Sequence, residues 1–348
     1  MIYGNGPKPP KYPLALIHPR GPIFRLLPVR LRRHLLFFLG HRTWGNFTRP
    51  RTWSEKLQWR VLNDLRPLLQ VGADKLASKE YARSVIKEHG LTERVKIPET
   101  YWVGTDLNEL RAIADQLPPR WVLKPNHTSG RFMLIDSTNH PVNWEAIMKI
   151  AATWILPDEQ EYMLGHELYA RARHLLFAEE RVGDGPQAPH DMRILAFSGE
   201  GRPTNVFQLQ SAFRTAECEI THRYSKDFVR VIAHALDAPL DVRSPIDEMP
   251  QGDRETFVTF GRLAAQPFDH VRVDLYYVRG IFWFGEMAVY PASGLSTFTA
   301  EQEAARSLAW ELPNLTAPDP REGEWRALLE GVPKGTLQAR MAPDTPHA

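Results

Sequence analysis

The chain has 348 residues, 43% hydrophobic and 24% charged, with a formal net charge of +2. That is enough to bury a large core in two or three lobes, in the proportions of an ordinary globular protein. No apolar run approaches the ~18 residues of a membrane span, and a single cysteine, Cys218, excludes an intrachain disulfide or a multi-cysteine zinc site. The early apolar run is studded with arginine, unlike a signal peptide, so a reducing cytoplasm is the expected compartment.

The small net charge hides an uneven distribution. Residues 1–54 hold ten Lys/Arg and no acid, leaving 33 basic against 41 acidic side chains in the remainder. Such an arm points to an anionic partner. Residues 1–20 are rich in Pro and Gly and read as extended surface chain. From Pro22 to Gly40 apolar residues alternate with arginines, and Pro28 as a first-turn proline with Gly40 as a stop frames one basic amphipathic helix. This helix either meets an anionic membrane through residues 20–40, peripherally at the inner face, or packs on the protein's own core; the pattern favours neither.

Thr52-Trp53-Ser54-Glu55 opens a second helix, with Leu57, Trp59, Val61 and Leu62 on its expected buried side. Ala73-Asp74-Lys75 leads into a third, ending at Gly90. Tyr101-Trp102-Val103 reads as a strand. Residues 106–117 read as a helix with Leu107, Leu110, Ile113 and Leu117 on one side.

The segment Trp121-Val122-Leu123-Lys124 ends an apolar run on a lysine, and Pro125-Asn126-His127-Thr128-Ser129-Gly130 then forms a polar loop before a second apolar run, Phe132–Ile135. A strand-end lysine beside a loop of backbone N–H groups suits a polyphosphate. It also suits a surface hairpin with a snorkelling lysine. It is not a P-loop, since no G-x-x-x-x-G-K-[ST] occurs. Two helical segments follow, 144–154 and 160–168, then a buried strand from His174 to Glu180 ending in carboxylates. Residues 183–190 are a Gly/Pro-rich turn, and 192–197 and 205–210 form a hairpin around Gly199-Glu200-Gly201. Residues 255–265 are a helix, and the Pro-rich segment after Leu312 reads as loosely packed.

Residues 271–290 form the most informative hairpin. Alternation puts Val271, Val273, Leu275 and Tyr277 on one face and Arg272, Asp274 and Tyr276 on the other. With a three-residue loop at 279–281, Asp274 stands opposite Glu286, flanked by Phe284 and Tyr276. Two carboxylates so close repel unless a cation lies between them, and Mg²⁺ suits oxygen ligands in a phosphate context. Pairing of the acids with Arg272, or a solvated face, is the bland alternative, and a two-residue loop spoils the register.

Together these segments resemble the TupA-like family of ATP-grasp enzymes, over roughly residues 46–310. The resemblance runs from Pro50-x-Thr52-Trp53-Ser54-Glu55-Lys56 through Asp74-Lys75, Lys124 with Asn126–Gly130, Phe177–Val182, Asp191-Met192-Arg193, the 272–286 hairpin and Tyr290-Pro291-x-Ser293-Gly294. It implies an α+β ATP-grasp fold, two α+β lobes gripping ATP with a basic helical N-terminal extension. The expected segments are 1–48 (arm), 49–120 (helical/α-β subdomain), 121–182 (small lobe), 183–312 (large lobe with metal site) and 313–348 (tail).

The resemblance further implies nucleotide contacts from Lys75, Lys124, His127, Ser129, Gly130, Glu180, Val182, Asp191 and Arg193, with Glu179 facing the adenine amino group. It makes Asp274 and Glu286 the Mg²⁺ carboxylates, and gives Arg272 and Lys124 roles at the transferred phosphoryl group. The implied activity is ADP-forming carboxylate–amine ligation through an acyl phosphate, with a cell-surface polysaccharide or its precursor as the setting. A glycan or sugar kinase and a non-catalytic ATP-binding subunit of a membrane-associated glycan assembly are the alternatives. The chain departs from the family at Ala288, where an asparagine ligand is common, at Thr128 in the loop, and at Ser211, where an acid is expected. No nucleic-acid partner is expected, because the basic stretch lacks a helix-turn-helix or an aromatic RNA-binding motif.

Overall fold

A computed structural model describes residues 2–5, 22–157, 159–185, 189–199, 202–214, 219–234, 237–331 and 336–337. Cys218, the 200–201 turn tip and the end of the chain lie outside these residues.

Two sheets carry the architecture. The first has five antiparallel strands in the spatial order Ile2–Asn5, Arg131–Asp136, Arg120–Pro125, Leu176–Glu180, Thr100–Gly104. It draws on three of the expected segments, and Ile2–Asn5 is an edge strand where extended surface chain was expected. Trp102, Trp121, Leu123, Met133 and Ile135 form its core with helices Leu107–Ala112 and Trp144–Ala151.

The second sheet has seven strands in the order Arg230–Val231, Glu219–Ser225, Arg202–Arg214, Asp191–Gly199, His270–Val278, Ile281–Ala288, Val95–Lys96. Only the last pairing is parallel. Helix Gln251–Ala265 covers its inner face, where a Cβ on Gly261 would come within 2.1 Å of Ile194. Helices Trp53–Asn63, Pro67–Ala73 and Lys75–Glu88 complete the larger core.

The helix at 53 begins as its sequence dictates. Thr52 Oγ1 accepts from the Glu55 N–H, and the Glu55 carboxylate accepts from the Thr52 N–H. Its buried side keeps only half of the expected residues. Trp59 and Leu62 are half-buried, while Trp53, Gln58 and Arg60 are buried beside Leu57 and Val61. Arg60 is fully enclosed because it has partners: it pairs with Asp269 and lies 4.5 Å from the ring centroid of Trp310.

Three other expectations are corrected. Residues 22–41 form two helices, Pro22–Leu26 and Val29–His41, with Pro28 between them and Gly40 inside the second, which ends on Arg42 at φ 59°. The 106–117 helix stops at Ala112 and continues as a 3₁₀ turn, Ala114–Gln116. After Leu312, a helix at Glu322–Glu330 buries Trp325 against Tyr81, so this part of the tail is packed.

Candidate active site

Lys124, one residue from the end of its strand, lies two residues beyond Val122, which pairs with Glu179, so the Lys124 and Glu179 side chains share a face of the first sheet. The Lys124 ammonium donates to Glu179 Oε1, and Lys79 Nζ donates to Glu179 Oε2 at 2.9 Å and to Thr100 Oγ1 at 2.7 Å. Burial alone would raise the Glu179 pKa, but the two ammonium groups outweigh it and bring the carboxyl down to about 2. Burial likewise works against the charge on Lys124, yet Glu179 raises its pKa. Both Glu179 oxygens are thus engaged by lysines. Beside them lies an open cleft lined by Val122, Lys124, Leu134, Glu180, Val182 and Tyr276.

The loop after Lys124 is held by a side chain that sequence reasoning passed over. Asn126 is completely buried. Its Oδ1 accepts from the Leu76 N–H at 2.9 Å, and its Nδ2 donates to Asp74 Oδ2 at 2.8 Å and to the Arg173 carbonyl at 3.0 Å. Asp74 is also the N-cap of the Lys75–Glu88 helix. One amide therefore fastens the loop to that helix end and places Lys75 beside it. Lys75 Nζ donates to the Thr128 carbonyl at 2.5 Å and lies 3.6 Å from Glu286 Oε2. Ser129 and Gly130 are partly exposed in the same loop, with Gly130 at φ 72°. His127 is buried in this loop and stacks on His174 at 3.9 Å.

On the second sheet Asp274 pairs directly with Glu286, but not by the expected loop. The turn has two residues, Arg279-Gly280, and pairs Val278 with Ile281. That register alone would have misaligned the acids. A β-bulge after Asp274 leaves Gly285 unpaired and restores their opposition. A Cβ on Gly285 would sit 3.0 Å from the Asp274 carbonyl oxygen, so glycine fits the bulge closely. The bulge also moves Phe284 into the core beside Phe282, and it does not flank the acids.

Arg272 Nε donates to Asp274 Oδ1 at 2.7 Å, so the bland alternative of an acid–arginine pair holds for Asp274 in this state. Burial, with Glu286 opposite, still pushes the Asp274 carboxyl up to about 6. Burial would raise Glu286 as well, but Lys75, Arg272 and Lys124 hold it below the usual range. Two adjacent carboxylates, one with its pKa raised, fit a hard divalent cation that takes its other oxygens from phosphate. Among the described residues no cluster of three or more His, Cys, Asp or Glu forms a metal cage.

The next strand extends this row. Arg193 pairs with Asp274 and donates to Asp191 Oδ2 at 2.8 Å, while Asp191 pairs with Tyr276. Gln210 and then Arg223 continue the row across the sheet. Ser211 is buried on the opposite, core-facing side, so Gln210 is the side chain alongside Arg193.

Sequence reasoning also missed a buried polar chain at the end of the hairpin. His166 Nδ1 lies 2.6 Å from Glu161 Oε2, and its Nε2 lies 2.8 Å from Ser293 Oγ. Arg33 donates to Ser293 Oγ at 2.9 Å and to the Ser293 carbonyl at 2.6 Å. These bonds hold Ala292 and Ser293 at φ 48° and 58°, a conformation that non-glycine residues seldom adopt without such support. No local pattern signals a network whose members are up to 260 residues apart.

The chain is similar to many solved structures, 130 of whose chains match it. N5-carboxyaminoimidazole ribonucleotide synthetase from Thermus thermophilus is 14% identical, with 64% of this chain and 46% of that chain covered and a TM-score of 0.38. D-alanine–D-alanine ligase from Bacillus anthracis, complexed with ATP, is 14% identical, with 64% and 55% covered and a TM-score of 0.35. The chain spans about half the length of these proteins. No curated protein matches it. The model of the TupA-like ATPgrasp family matches residues 55–308, which contain both sheets' central strands and all of the lysines, arginines and carboxylates that face the cleft. With well over half of its length matched, the chain belongs to the TupA-like ATP-grasp family.

Proposed function

We propose that the protein is an ATP-dependent, ADP-forming carboxylate–amine ligase. The observation that carries this reading is the opposition of Asp274 and Glu286 across a bulged hairpin, facing Lys75 and the Lys124 cleft. ATP with Mg²⁺ supplies the phosphoryl group that activates a substrate carboxylate as an acyl phosphate, which an amine then displaces. The adenine end lies in the cleft lined by Val122, Glu180 and Val182. Lys124, Lys75 and the 126–130 loop offset the charge of the phosphates, and Asp274 and Glu286 hold the cation. Arg272, which donates to Asp274, stands beside the site that would hold the cation and neutralises charge developing on the transferred group. Arg193, Gln210 and Arg223 lead away from that point and orient an anionic substrate. The family resemblance supports a cell-surface polysaccharide or its precursor as the molecule that receives the amide.

The test is a screen of carboxylates and amines with ATP and Mg²⁺, scored for ADP and for hydroxamate formation when hydroxylamine replaces the amine. A phosphate ester of a hydroxyl compound would make the protein a kinase, and AMP with pyrophosphate would exclude both readings. Nucleotide binding is checked separately by calorimetry. Lys124→Ala and Lys75→Ala should each raise the ATP Kd by about ten- to a hundredfold, the equivalent of ~1.5–3 kcal/mol for a charge-assisted contact. Unchanged affinity in both variants would remove the nucleotide site from this cleft.

A further inference from the structure

We propose that the outward face of the Val29–His41 helix, together with Trp44, docks on an anionic lipid membrane. The helix is turned opposite to the usual amphipathic arrangement. Two of its arginines face inward: Arg33 is fully enclosed, bound to Gln58, Ser293 and the Leu164 carbonyl, and Arg32 lies over the Tyr162 ring. Leu36 and Phe37 are buried beside them.

Outward-facing apolar side chains are left over. Leu31 and Phe38, seven residues apart on one stripe, are 39% and 43% exposed, and Trp44 is 59% exposed. Phe38 and Trp44 form one patch with His34. His34 stacks on Trp44 at 5.1 Å, and the Phe38 ring lies 6.2 Å from it. Single exposed apolar residues need no explanation, but a contiguous aromatic patch does.

Charge selects the occupant. Arg30, near His34, and Arg42 and Arg49 are exposed in the same segment, which has no acid from residue 1 to 54. A second copy docked here would bring two such cationic arms together, which is repulsive. An anionic lipid surface instead meets the arginines with phosphate and takes Phe38 and Trp44 at the headgroup level, where tryptophan is favoured.

The experiment is co-sedimentation of the full chain with vesicles of phosphatidylglycerol and phosphatidylcholine, against phosphatidylcholine alone. Binding should require the anionic lipid and weaken with added salt. The Phe38→Ser/Trp44→Ser variant, and separately Arg42→Gln/Arg49→Gln, should lower the partition coefficient about tenfold or more. Both pairs change exposed side chains, so an unchanged melting temperature and unchanged ATP binding separate loss of docking from loss of fold or of nucleotide site. Absence of binding to anionic vesicles would overturn the proposal, as would binding indifferent to both variants. So would a dimer, seen by light scattering, that the Phe38→Ser/Trp44→Ser variant abolishes.

Discussion

Replacing Glu179 by glutamine is expected to cost about 3–5 kcal/mol of folding stability, because it leaves two buried ammonium groups facing an amide. Lys79 is 3% exposed and bonds to Glu179 and Thr100, while Lys124 bonds to the other carboxylate oxygen. Lys79 is the more vulnerable of the two, since burial already lowers its pKa and Glu179 is the main group opposing that shift. Urea denaturation at neutral pH checks the loss, and a change below about 1 kcal/mol would mean that water reaches the lysines. The pH dependence has a definite sign. Glu179 titrates at about 2 in the folded state, below its unfolded value near 4.5. Its contribution is therefore complete above pH ~4.5 and is lost as pH falls through about 2. The glutamine variant should lack that part of the acid-unfolding slope. Lys79→Met in the glutamine background should recover part of the loss by removing one stranded charge.

Glu286→Gln and Asp274→Asn should each abolish the effect of Mg²⁺ on nucleotide affinity. A divalent cation bridging carboxylate and phosphate contributes several kcal/mol, so loss of one ligand should lower the Mg²⁺-dependent part of ATP affinity about a hundredfold. The two variants should differ without metal. In the Asp274 variant Arg272 loses a bidentate partner, whereas in the Glu286 variant Lys75 keeps the Thr128 carbonyl. Burial and the facing Glu286 nevertheless disfavour the charged form of Asp274, whereas Lys75, Arg272 and Lys124 favour that of Glu286, so Glu286→Gln should be the less stable of the two in EDTA at neutral pH, and thermal melting with and without Mg²⁺ reads both effects. A wild-type melting temperature indifferent to ATP and Mg²⁺ together would dismiss the carboxylates as a metal site.

Much of this was legible in the sequence where local chemistry decides the outcome. The capping box at Thr52, the lysine ending the Trp121–Lys124 run and the alternation Val271-Arg272-Val273-Asp274-Leu275 each specify structure within a few residues. The bulge had a sequence signal too. Core positions run 282 and 284, then 287 and 289, and the change of parity falls at Gly285. Strict alternation across the hairpin instead required a longer turn, and an incorrect loop then gave the right pair of opposing acids. What remained hidden depends on distant partners. Burial of Arg60 requires Asp269, burial of Arg33 requires Ser293, and nothing within either helix announces those contacts. Engagement of Glu179 by two lysines is similar, since Lys79 lies 100 residues away along the chain.

The bulge at Gly285 also separates the hairpin tip from the acids at its base. Arg279 sits in the turn at φ 53°, a conformation that costs an L side chain roughly 1 kcal/mol and that asparagine tolerates better. Its exposed pairing with Asp184 contributes little in return. An Asn-Gly tip should therefore close the hairpin faster during folding while leaving the carboxylate spacing untouched, because it keeps both the two-residue turn and the bulge that together align the acids. Side chains at this tip can therefore be exchanged without disturbing the opposed acids, provided that the turn keeps two residues and the residue at the bulge remains without a side chain.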